Sequence, residues 1–175
     1  MSEMERGYVQ VYTGDGKGKT TAALGLALRA SGHGLKVFIG QFMKGQDYSE
    51  LRSAPRLEGL VMEQFGDPGW VYKGRLKPAQ IEQAEAGMAR AEAVLASGDF
   101  DVVILDEINM IVWFELVPLE RVLALIASKP AGTELILTGR RAAPEVIERA
   151  DLVTEMREVK HYYTQKVPAR RGIEN

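Results

Sequence analysis

A glycine- and lysine-rich segment near the start of the chain has the residue types of a phosphate-binding loop. It reads Thr13-Gly14-Asp15-Gly16-Lys17-Gly18-Lys19-Thr20-Thr21. Glycines let the backbone curl so that successive N–H groups point at one anion, and a following helix adds its positive N-terminal end. Lys19 would add a mobile positive charge, and the Thr20 hydroxyl can hold Mg²⁺. The residues expected to bind a nucleotide are therefore Gly14, Asp15, Gly16, Lys17, Gly18, Lys19, Thr20 and Thr21.

The loop departs at one position from the common pattern G-x-x-x-x-G-K-[ST]. Thr13 stands where the first glycine is expected. A glycine-rich turn with chance lysines is the alternative interpretation. The flanking sequences favour the phosphate loop, because a short strand-like run precedes it and a helix-forming run of alanine and leucine follows it. Strand, loop and helix in that order are the setting that such a loop requires.

A second chemical signal is a pair of acids directly after an apolar run. Residues 102–105 are strand-forming, and Asp106 and Glu107 follow them. Such a run is typical of a parallel strand buried on both faces, whose carboxyl end is where open α/β sheets bind ligands. We expect Thr20, Glu107 and Asp106 (the last directly or through water) to hold the Mg²⁺ of a nucleotide. The alternative is that the two acids only begin a helix.

Three further segments each admit two interpretations. The arginines of Thr138-Gly139-Arg140-Arg141 follow a strand-like run and face either phosphate or solvent. Phe65, Trp70 and Tyr72 stand among glycines, and their rings either pack in the core or lie against a flat ligand. The basic tail after residue 156 either folds over a triphosphate or is solvated.

The elements that must position these residues alternate along the chain. Strands are expected at residues 8–12, 35–42, 60–65, 102–105, 134–138 and 152–156. Helices are expected to begin at Ala22, Pro78, Pro118 and Pro144. This alternation predicts an α/β fold, with a mostly parallel sheet and helices on both faces. We expect one domain over residues 1–175, in which residues 157–175 form an irregular C-terminal tail.

Composition excludes several classes of function. The 175 residues include 46% apolar and 26% charged residues, as in one globular domain. The net charge of −2 lacks the basic excess of a general nucleic-acid surface. The absence of cysteine excludes disulfides, thiolate zinc sites, iron–sulfur clusters and a cysteine nucleophile. The sequence has no recognisable signal peptide, and its apolar runs are all shorter than the about 18 residues that a membrane span needs. We therefore expect a cytoplasmic protein with neither a membrane nor a nucleic-acid partner.

Taken together, the motifs resemble those of one family, the P-loop-type ATP:corrinoid adenosyltransferases, which act on cob(I)alamin and cob(I)yrinic acid a,c-diamide. The resemblance runs from Tyr8 to Glu174, and the threonine at position 13 is similar to the family's own variant of the loop. In place of the family's Gly-x-Gly-Phe-Thr-Trp segment this chain has Phe65-Gly66-Asp67-Pro68-Gly69-Trp70. The matching segments are residues 12–23, 29–34, 41–45, 105–109, 118–120, 137–140, 150–156, 159–161 and 169–174.

The resemblance implies a P-loop NTPase-like (RecA-like) fold and an activity in adenosylcobalamin biosynthesis or salvage. The enzyme would transfer the 5′-deoxyadenosyl group of ATP to the Co(I) of a corrinoid and release triphosphate. Mg²⁺ or Mn²⁺, a reduced flavoprotein as electron donor and a homodimer are implied as well. The residues implied are Lys19 and Glu107 in catalysis, Arg29 and His161 at the nucleotide or metal, and Phe65 and Trp70 at the corrin.

Two other functions are compatible with a phosphate loop. A small-molecule kinase would need an acceptor base near the γ-phosphate and usually an arginine-rich lid, which the tail could supply. The absence of cysteine argues against the thymidine kinases, because these normally carry a cysteine zinc site. An ATP-gated switch would act through a partner without product chemistry. The products distinguish the three: triphosphate and an adenosylated corrin, ADP, or neither.

Overall fold

Six parallel strands form one sheet in the computed structural model, which describes residues 5–174. Residues 1–4 and Asn175 of the expected domain lie outside the described residues. The strands lie in the order β3-β2-β4-β5-β1-β6, and each neighbouring pair is parallel. This confirms the predicted α/β fold. The strands are β1 (Val9–Thr13), β2 (Val37–Phe42), β3 (Leu60–Phe65), β4 (Val102–Asp106), β5 (Glu134–Thr138) and β6 (Leu152–Glu155).

The central strands are apolar because both of their faces are covered. β4 lies between β2 and β5, and every residue of β2 and β4 is buried. A strand covered on both faces has no solvent side that would call for polar residues. The register also pairs Gln41 with Asp106 near the carboxyl ends of β2 and β4. Two buried polar side chains are thereby placed next to each other at that end of the sheet.

Helices connect the strands within residues 5–174. α1 begins at Lys19, earlier than predicted, because the last residues of the glycine-rich segment already form its first turn. α3 begins at Pro78 as predicted, and Gly98 ends it with a φ of 67°, the left-handed conformation common at helix ends. None of these helices has the length and apolar character needed to cross a membrane. The helices are α1 (Lys19–Gly32), α2 (Glu50–Ser53), α3 (Pro78–Ser97), α4 (Ile108–Trp113), α5 (Leu119–Ala127) and α6 (Pro144–Arg149), with 3₁₀ turns at Ala54–Arg56 and Tyr162–Gln165.

Two apolar clusters show that helices cover both faces of the sheet. On one face, Ala23 and Ala27 of α1 pack against alternate residues of the strands. On the other face, Met88 and Leu95 of α3 join a larger cluster to which α4, α5 and α6 also contribute. Ile81, in the first turn of α3, is 39% exposed.

The parallel arrangement brings several loops to one edge of the sheet. Since all six strands run in the same direction, their carboxyl ends meet at that edge. The glycine-rich loop follows β1, Met43 and Lys44 follow β2, Glu107 follows β4, and Gly139 follows β5. The residues for which chemistry was predicted therefore come from different strands but lie at the same edge.

Candidate active site

The glycine-rich loop joins β1 to α1 in a conformation that requires glycine. Gly14 has a φ of 93° and Gly18 a φ of 122°, values that residues with a side chain rarely adopt. The Gly16 N–H donates to the carbonyl of Met156 at 2.7 Å, and a Cβ on Gly16 would lie 2.7 Å from that same oxygen. The end of β6 thus supports the loop, and the loop leads directly into the N-terminus of α1.

Lys19 is folded back onto the loop from which it extends. Its ammonium donates to the carbonyls of Gly14 and Gly16, each at 2.7 Å. The residue is 7% exposed, and burial lowers the pKa of Lys19 even though Glu107 raises it in part. A phosphate bound in the loop would offer this ammonium charged oxygen atoms in place of neutral carbonyls, and charge-assisted hydrogen bonds are the stronger ones.

Asp106 is the centre of a buried hydrogen-bond network. Its Oδ1 accepts from the Thr138 hydroxyl at 2.6 Å and from the Thr20 hydroxyl at 2.9 Å. Its Oδ2 accepts from the Lys44 ammonium at 2.8 Å and from Gln41 Nε2 at 3.3 Å. The carboxylate is 1% exposed, so these donors compensate for the loss of water. The structure therefore brings the predicted pair, Thr20 and Asp106, into direct contact.

Glu107 begins α4 without capping it. The residue has a φ of 64°, unusual for a residue with a side chain, and its N–H donates to the Thr138 hydroxyl at 3.0 Å. Its side chain makes no capping hydrogen bond and instead lines a cavity beside Lys19. Burial, together with the neighbouring charge of Asp106, raises the pKa of Glu107. Although a helix does start here, the Glu107 carboxylate is directed to the cavity and does not serve the helix.

A cavity of about 550 Å³ lies over the phosphate loop. Its charged wall combines the cations Lys17, Lys19, Lys44 and Arg140 with three acids, Glu50, Glu107 and Glu174. This mixture suits a polyphosphate and a cation bound to it. The lining residues are Gly16, Lys17, Gly18, Lys19, Thr20, Thr21, Leu24, Lys44, Tyr48, Ser49, Glu50, Ser53, Glu107, Arg140, His161, Gly172, Ile173 and Glu174.

The two arginines after β5 have different positions. Arg140 lines the cavity, as its phosphate-facing interpretation requires. Arg141 lies over the ring of Trp113 at the end of α4, with 4.5 Å between the guanidinium carbon and the ring centroid. Lys73, from the loop that carries Trp70, lies 4.2 Å from the same ring. Trp113 thus connects that loop to the segment after β5, a contact that sequence reasoning missed.

Arg29 is not brought to the cavity. It is an exposed residue in the last turn of α1, and ten residues of helix place it about 15 Å along the axis from Lys19. The resemblance that implied a nucleotide role for Arg29 therefore finds no support in the geometry of this chain. His161, the other residue implied in this role, does line the cavity, and its Nδ1 accepts from the N–H of Tyr163 at 3.0 Å.

The C-terminal tail folds over the phosphate loop, as one of its two interpretations required. Gly172, Ile173 and Glu174 line the cavity, and the Lys17 ammonium donates to the carbonyl of Ile173 at 3.3 Å. Glu174 accepts hydrogen bonds from the Tyr162 hydroxyl and from the backbone and side chain of Arg170. These contacts close the tail into a loop of its own at the mouth of the cavity.

The structure separates the two aromatic residues implied at the corrin. Trp70 is 83% exposed, which excludes the core interpretation for its ring. Phe65 is partly buried, packs against the larger apolar cluster, and lies 5.9 Å from Phe42 between ring centroids. The register of β2 and β3 pairs Phe65 with Phe42 at the carboxyl ends of both strands. This packing gives Phe65 a place in the core, and its implied contact with the corrin stays a prediction.

Lys44 is a cavity residue that sequence reasoning missed. Burial on its own lowers the pKa of Lys44, but the adjacent Asp106 carboxylate outweighs it and raises the pKa above its ordinary value. A signal was available, because Lys44 follows β2 at the same edge of the sheet where Asp106 follows the apolar run of β4. The rule that identified Asp106 applies equally to β2.

The donor set at the cavity fits a divalent cation carried by a nucleotide. Within residues 5–174 no group of three or more histidine, aspartate or glutamate side chains could hold a metal by itself. Thr20 and Glu107 line the cavity and offer hard oxygen donors, and the Asp106 carboxylate lies directly behind Thr20. Mg²⁺ in nucleotide sites takes few protein ligands, since phosphates and water supply the rest. The residues present therefore match Mg²⁺ bound with a polyphosphate.

Comparison with known proteins points to one family. Residues 5–175 match the family model described as ATP:corrinoid adenosyltransferase BtuR/CobO/CobP. The chain is 39% identical to the corrinoid adenosyltransferase of Pseudomonas aeruginosa, over 97% of this chain and 84% of that protein. It is 36% identical to the corrinoid adenosyltransferase of Escherichia coli, over 97% and 86%. It is 35% identical to the corrinoid adenosyltransferase CobA of Salmonella typhimurium, over 99% and 88%.

Proposed function

We infer the function of this chain from the fact that it belongs to the ATP:corrinoid adenosyltransferase family. It is a transferase, and we propose that it moves the 5′-deoxyadenosyl group of ATP onto the Co(I) of a corrinoid and releases triphosphate. The observation that carries this proposal is the cavity over the phosphate loop, where Lys17, Lys19, Lys44 and Arg140 are gathered. Such a site can stabilise the negative charge of a leaving triphosphate.

The proposed reaction is an alkyl transfer in which no proton moves. The electron pair of Co(I) forms the bond to C5′ of ATP, the C5′–O bond breaks, and its electron pair leaves with the triphosphate. Cobalt becomes Co(III) in the product. Negative charge therefore develops on the leaving oxygen, next to the loop N–H groups and the Lys19 ammonium. Preorganised donors at a developing charge are usually the largest single contribution to catalysis.

We assign the cation-holding role to Thr20 and Glu107, with Asp106 acting through water. Asp106 already accepts from four donors, which leaves little room for direct ligation, whereas Glu107 lines the cavity without a capping bond. Mg²⁺ or Mn²⁺, when bound, neutralises part of the charge of the triphosphate. The protein's contribution is to hold these oxygen donors at one edge of the sheet.

Trp70 is the residue that we assign to the corrin face. Its ring is exposed, while its carbonyl accepts from Gln80 Nε2 of α3 at 3.2 Å, so the backbone is anchored where the side chain is free. The contact of Lys73 with Trp113 ties the same loop to α4, and α4 begins at the cavity residue Glu107. A ring there could cover one face of the macrocycle and keep an axial ligand away from cobalt, which makes Co(II) easier to reduce.

Three further parts of the proposal come from family membership alone. They are a reduced flavoprotein as electron donor, association into a homodimer, and action in the cytoplasm. The oligomeric state can be measured by sedimentation. The donor can be identified by reconstituting reduction from Co(II) with flavoproteins in turn.

The reaction is tested with ATP, Mg²⁺ and chemically prepared Co(I), supplied either as cob(I)alamin or as cob(I)yrinic acid a,c-diamide. The expected products are inorganic triphosphate and an adenosylated corrinoid in equal amounts, identified by phosphorus NMR and by the absorbance of the cobalt–carbon bond. ADP formed with a phosphorylated acceptor would instead indicate a kinase. ATP binding without any product would indicate a switch.

A further inference from the structure

Lys44 is a partly buried cation in direct contact with the carboxylate at the centre of the site. Its Nζ lies 2.8 Å from Asp106 Oδ2, with 14% of the Lys44 side chain and 1% of the Asp106 side chain exposed. The same ammonium lies 3.6 Å from Glu50 Oε1 and 5.1 Å from the ring centroid of Tyr48. Its charge is therefore neutralised from two sides in a place where water has little access.

The contacts of Asp106 leave no free position for a second cation. Oδ1 is taken by the hydroxyls of Thr138 and Thr20, and Oδ2 by Lys44 and Gln41. The ammonium also repels any divalent cation that approaches the same oxygen. A metal can interact with Asp106 at full strength only when Lys44 has moved away.

Among these four donors, Lys44 is the one that can move away from Asp106 most easily. Thr20, Thr138 and Gln41 reach Asp106 through short side chains from a helix and two strands, whereas Lys44 reaches it through a flexible four-carbon stem from a loop. Lys44 lines the same cavity as Lys19 and Arg140. A short swing of the stem would carry the ammonium from Asp106 to the phosphates.

We propose that Lys44 is an exchangeable counter-ion: its ammonium occupies the cation position at Asp106 in the free protein and passes to the triphosphate when a divalent cation binds with ATP. The proposal relies on the proposed function only in taking a divalent cation and a triphosphate as ligands. It makes Lys44 a residue that acts first through Asp106 and then on the substrate itself. The free protein thereby resists binding a metal alone, and the metal and the triphosphate strengthen each other's binding.

The test measures the two ligands separately, with no corrinoid and no turnover. Mn²⁺ binding without nucleotide is followed by the electron paramagnetic resonance signal of free Mn²⁺, and tripolyphosphate binding in the presence of Mg²⁺ by calorimetry. Lys44→Gln removes the charge but keeps a donor for Asp106, which protects the fold. We expect Mn²⁺ to bind about tenfold more tightly and tripolyphosphate about tenfold more weakly, since one charged hydrogen bond is worth a factor of this order.

Two matched variants separate exchange from a structural role. Lys17→Gln removes a charge from the same cavity, but the Lys17 ammonium contacts the Ile173 carbonyl and does not occupy Asp106. Tripolyphosphate should therefore bind more weakly to this variant, and the affinity for Mn²⁺ should not increase. Lys44→Arg keeps the charge, so its Mn²⁺ affinity should stay at the wild-type level, and circular dichroism reports whether each variant is folded.

Three results would overturn the proposal. Unchanged or weaker Mn²⁺ binding in Lys44→Gln would mean that Lys44 merely supports Asp106. Unchanged tripolyphosphate binding would show that the ammonium does not pass to the phosphates, and a gain of Mn²⁺ affinity in Lys44→Arg would show that charge is not the cause. These binding measurements do not depend on adenosyl transfer and can be interpreted even if that reaction is not observed. The proposed exchange of Lys44 and the proposed adenosyl transfer can therefore be refuted independently.

Discussion

The Thr20 hydroxyl donates to Asp106 Oδ1 at 2.9 Å, although the two residues are 86 positions apart in the chain. One residue belongs to the first turn of α1 and the other ends β4. This hydrogen bond holds the phosphate loop in a fixed position against the central strand. The loop and its acidic partner are therefore aligned before any ligand binds, and the site needs little rearrangement of the backbone.

Removal of the Lys19 ammonium should abolish most activity and leave the fold intact. Lys19→Ala loses a charged donor at the developing anion, which costs about 2.7–4 kcal/mol in the barrier, or about 10²–10³-fold in turnover. Turnover with chemically prepared Co(I) and circular dichroism should be measured on the same preparation. Lys17→Ala is the matched control, with a smaller expected loss because Lys17 lies at the rim beside Ile173. Near-normal turnover in Lys19→Ala would mean that the loop does not cradle the triphosphate.

Glu107 should act through the metal. Glu107→Gln keeps the shape of the side chain and removes its charge, so the concentration of Mg²⁺ at half-maximal activity should rise by more than the KM for ATP. Titration of Mg²⁺ against turnover measures this effect. Glu58→Gln, an exposed acid just before β3, is the control for loss of a carboxylate elsewhere. An unchanged Mg²⁺ midpoint in Glu107→Gln would transfer the role to Asp106.

The two acids at the end of β4 and the phosphate loop after β1 were predictable, because each comes at the end of a strand that has a clear sequence pattern. Lys44 follows an equally buried strand, so the same rule would have placed it at this edge of the sheet. Its contact with Asp106 could not be predicted, because a contact between neighbouring strands is not visible in one sequence. α4 was missed for a local reason, since its six residues directly follow the strand and continue its apolar character. Exposure of Trp70 was undecidable from sequence, because glycine-rich loops place aromatic rings both inside and outside.

Closure of the C-terminal tail over the phosphate loop should depend on the charge of Glu174. Hydrogen bonds from Arg170, and then from Tyr162, lower the pKa of Glu174 to about 2. A carboxyl whose pKa is lower in the folded state stabilises that state above its unfolded pKa. We therefore expect closure of the tail to be complete above the ordinary value of 4.5 and to weaken as the pH falls from 4.5 towards 2.

Glu174→Gln tests this closure at neutral pH. The variant should exchange the amide hydrogens of residues 162–174 faster than wild type and should raise the KM for ATP, because the tail forms part of the cavity wall. Glu158→Gln, an exposed acid near the start of the same tail, should change neither property. Equal exchange rates in wild type and Glu174→Gln would show that Glu174 does not hold the tail.

Phe65 should contribute to stability and not to corrinoid binding. Phe65→Ala removes a ring that packs against Phe42 and the larger apolar cluster, at a cost of about 3 kcal/mol in the free energy of unfolding. Denaturant titration measures this loss, and corrinoid affinity at a temperature where the variant is folded should be near that of wild type. A selective loss of corrinoid binding with normal stability would support the corrin contact that the family resemblance implies for Phe65.

Trp70 should behave in the opposite way. Its ring is 83% exposed, so Trp70→Ala removes little buried surface, and the melting temperature and ATP affinity should stay close to those of wild type. Reduction of Co(II) on the enzyme should fail, because without the ring water or a lower ligand can reach cobalt, and chemically prepared Co(I) should restore part of the rate. The yield of four-coordinate Co(II) reports this step directly. Tyr72→Ala, which removes another exposed ring from the same loop, tests whether the effect is specific to position 70. A large fall in melting temperature together with weaker ATP binding in Trp70→Ala would contradict the corrin-face role.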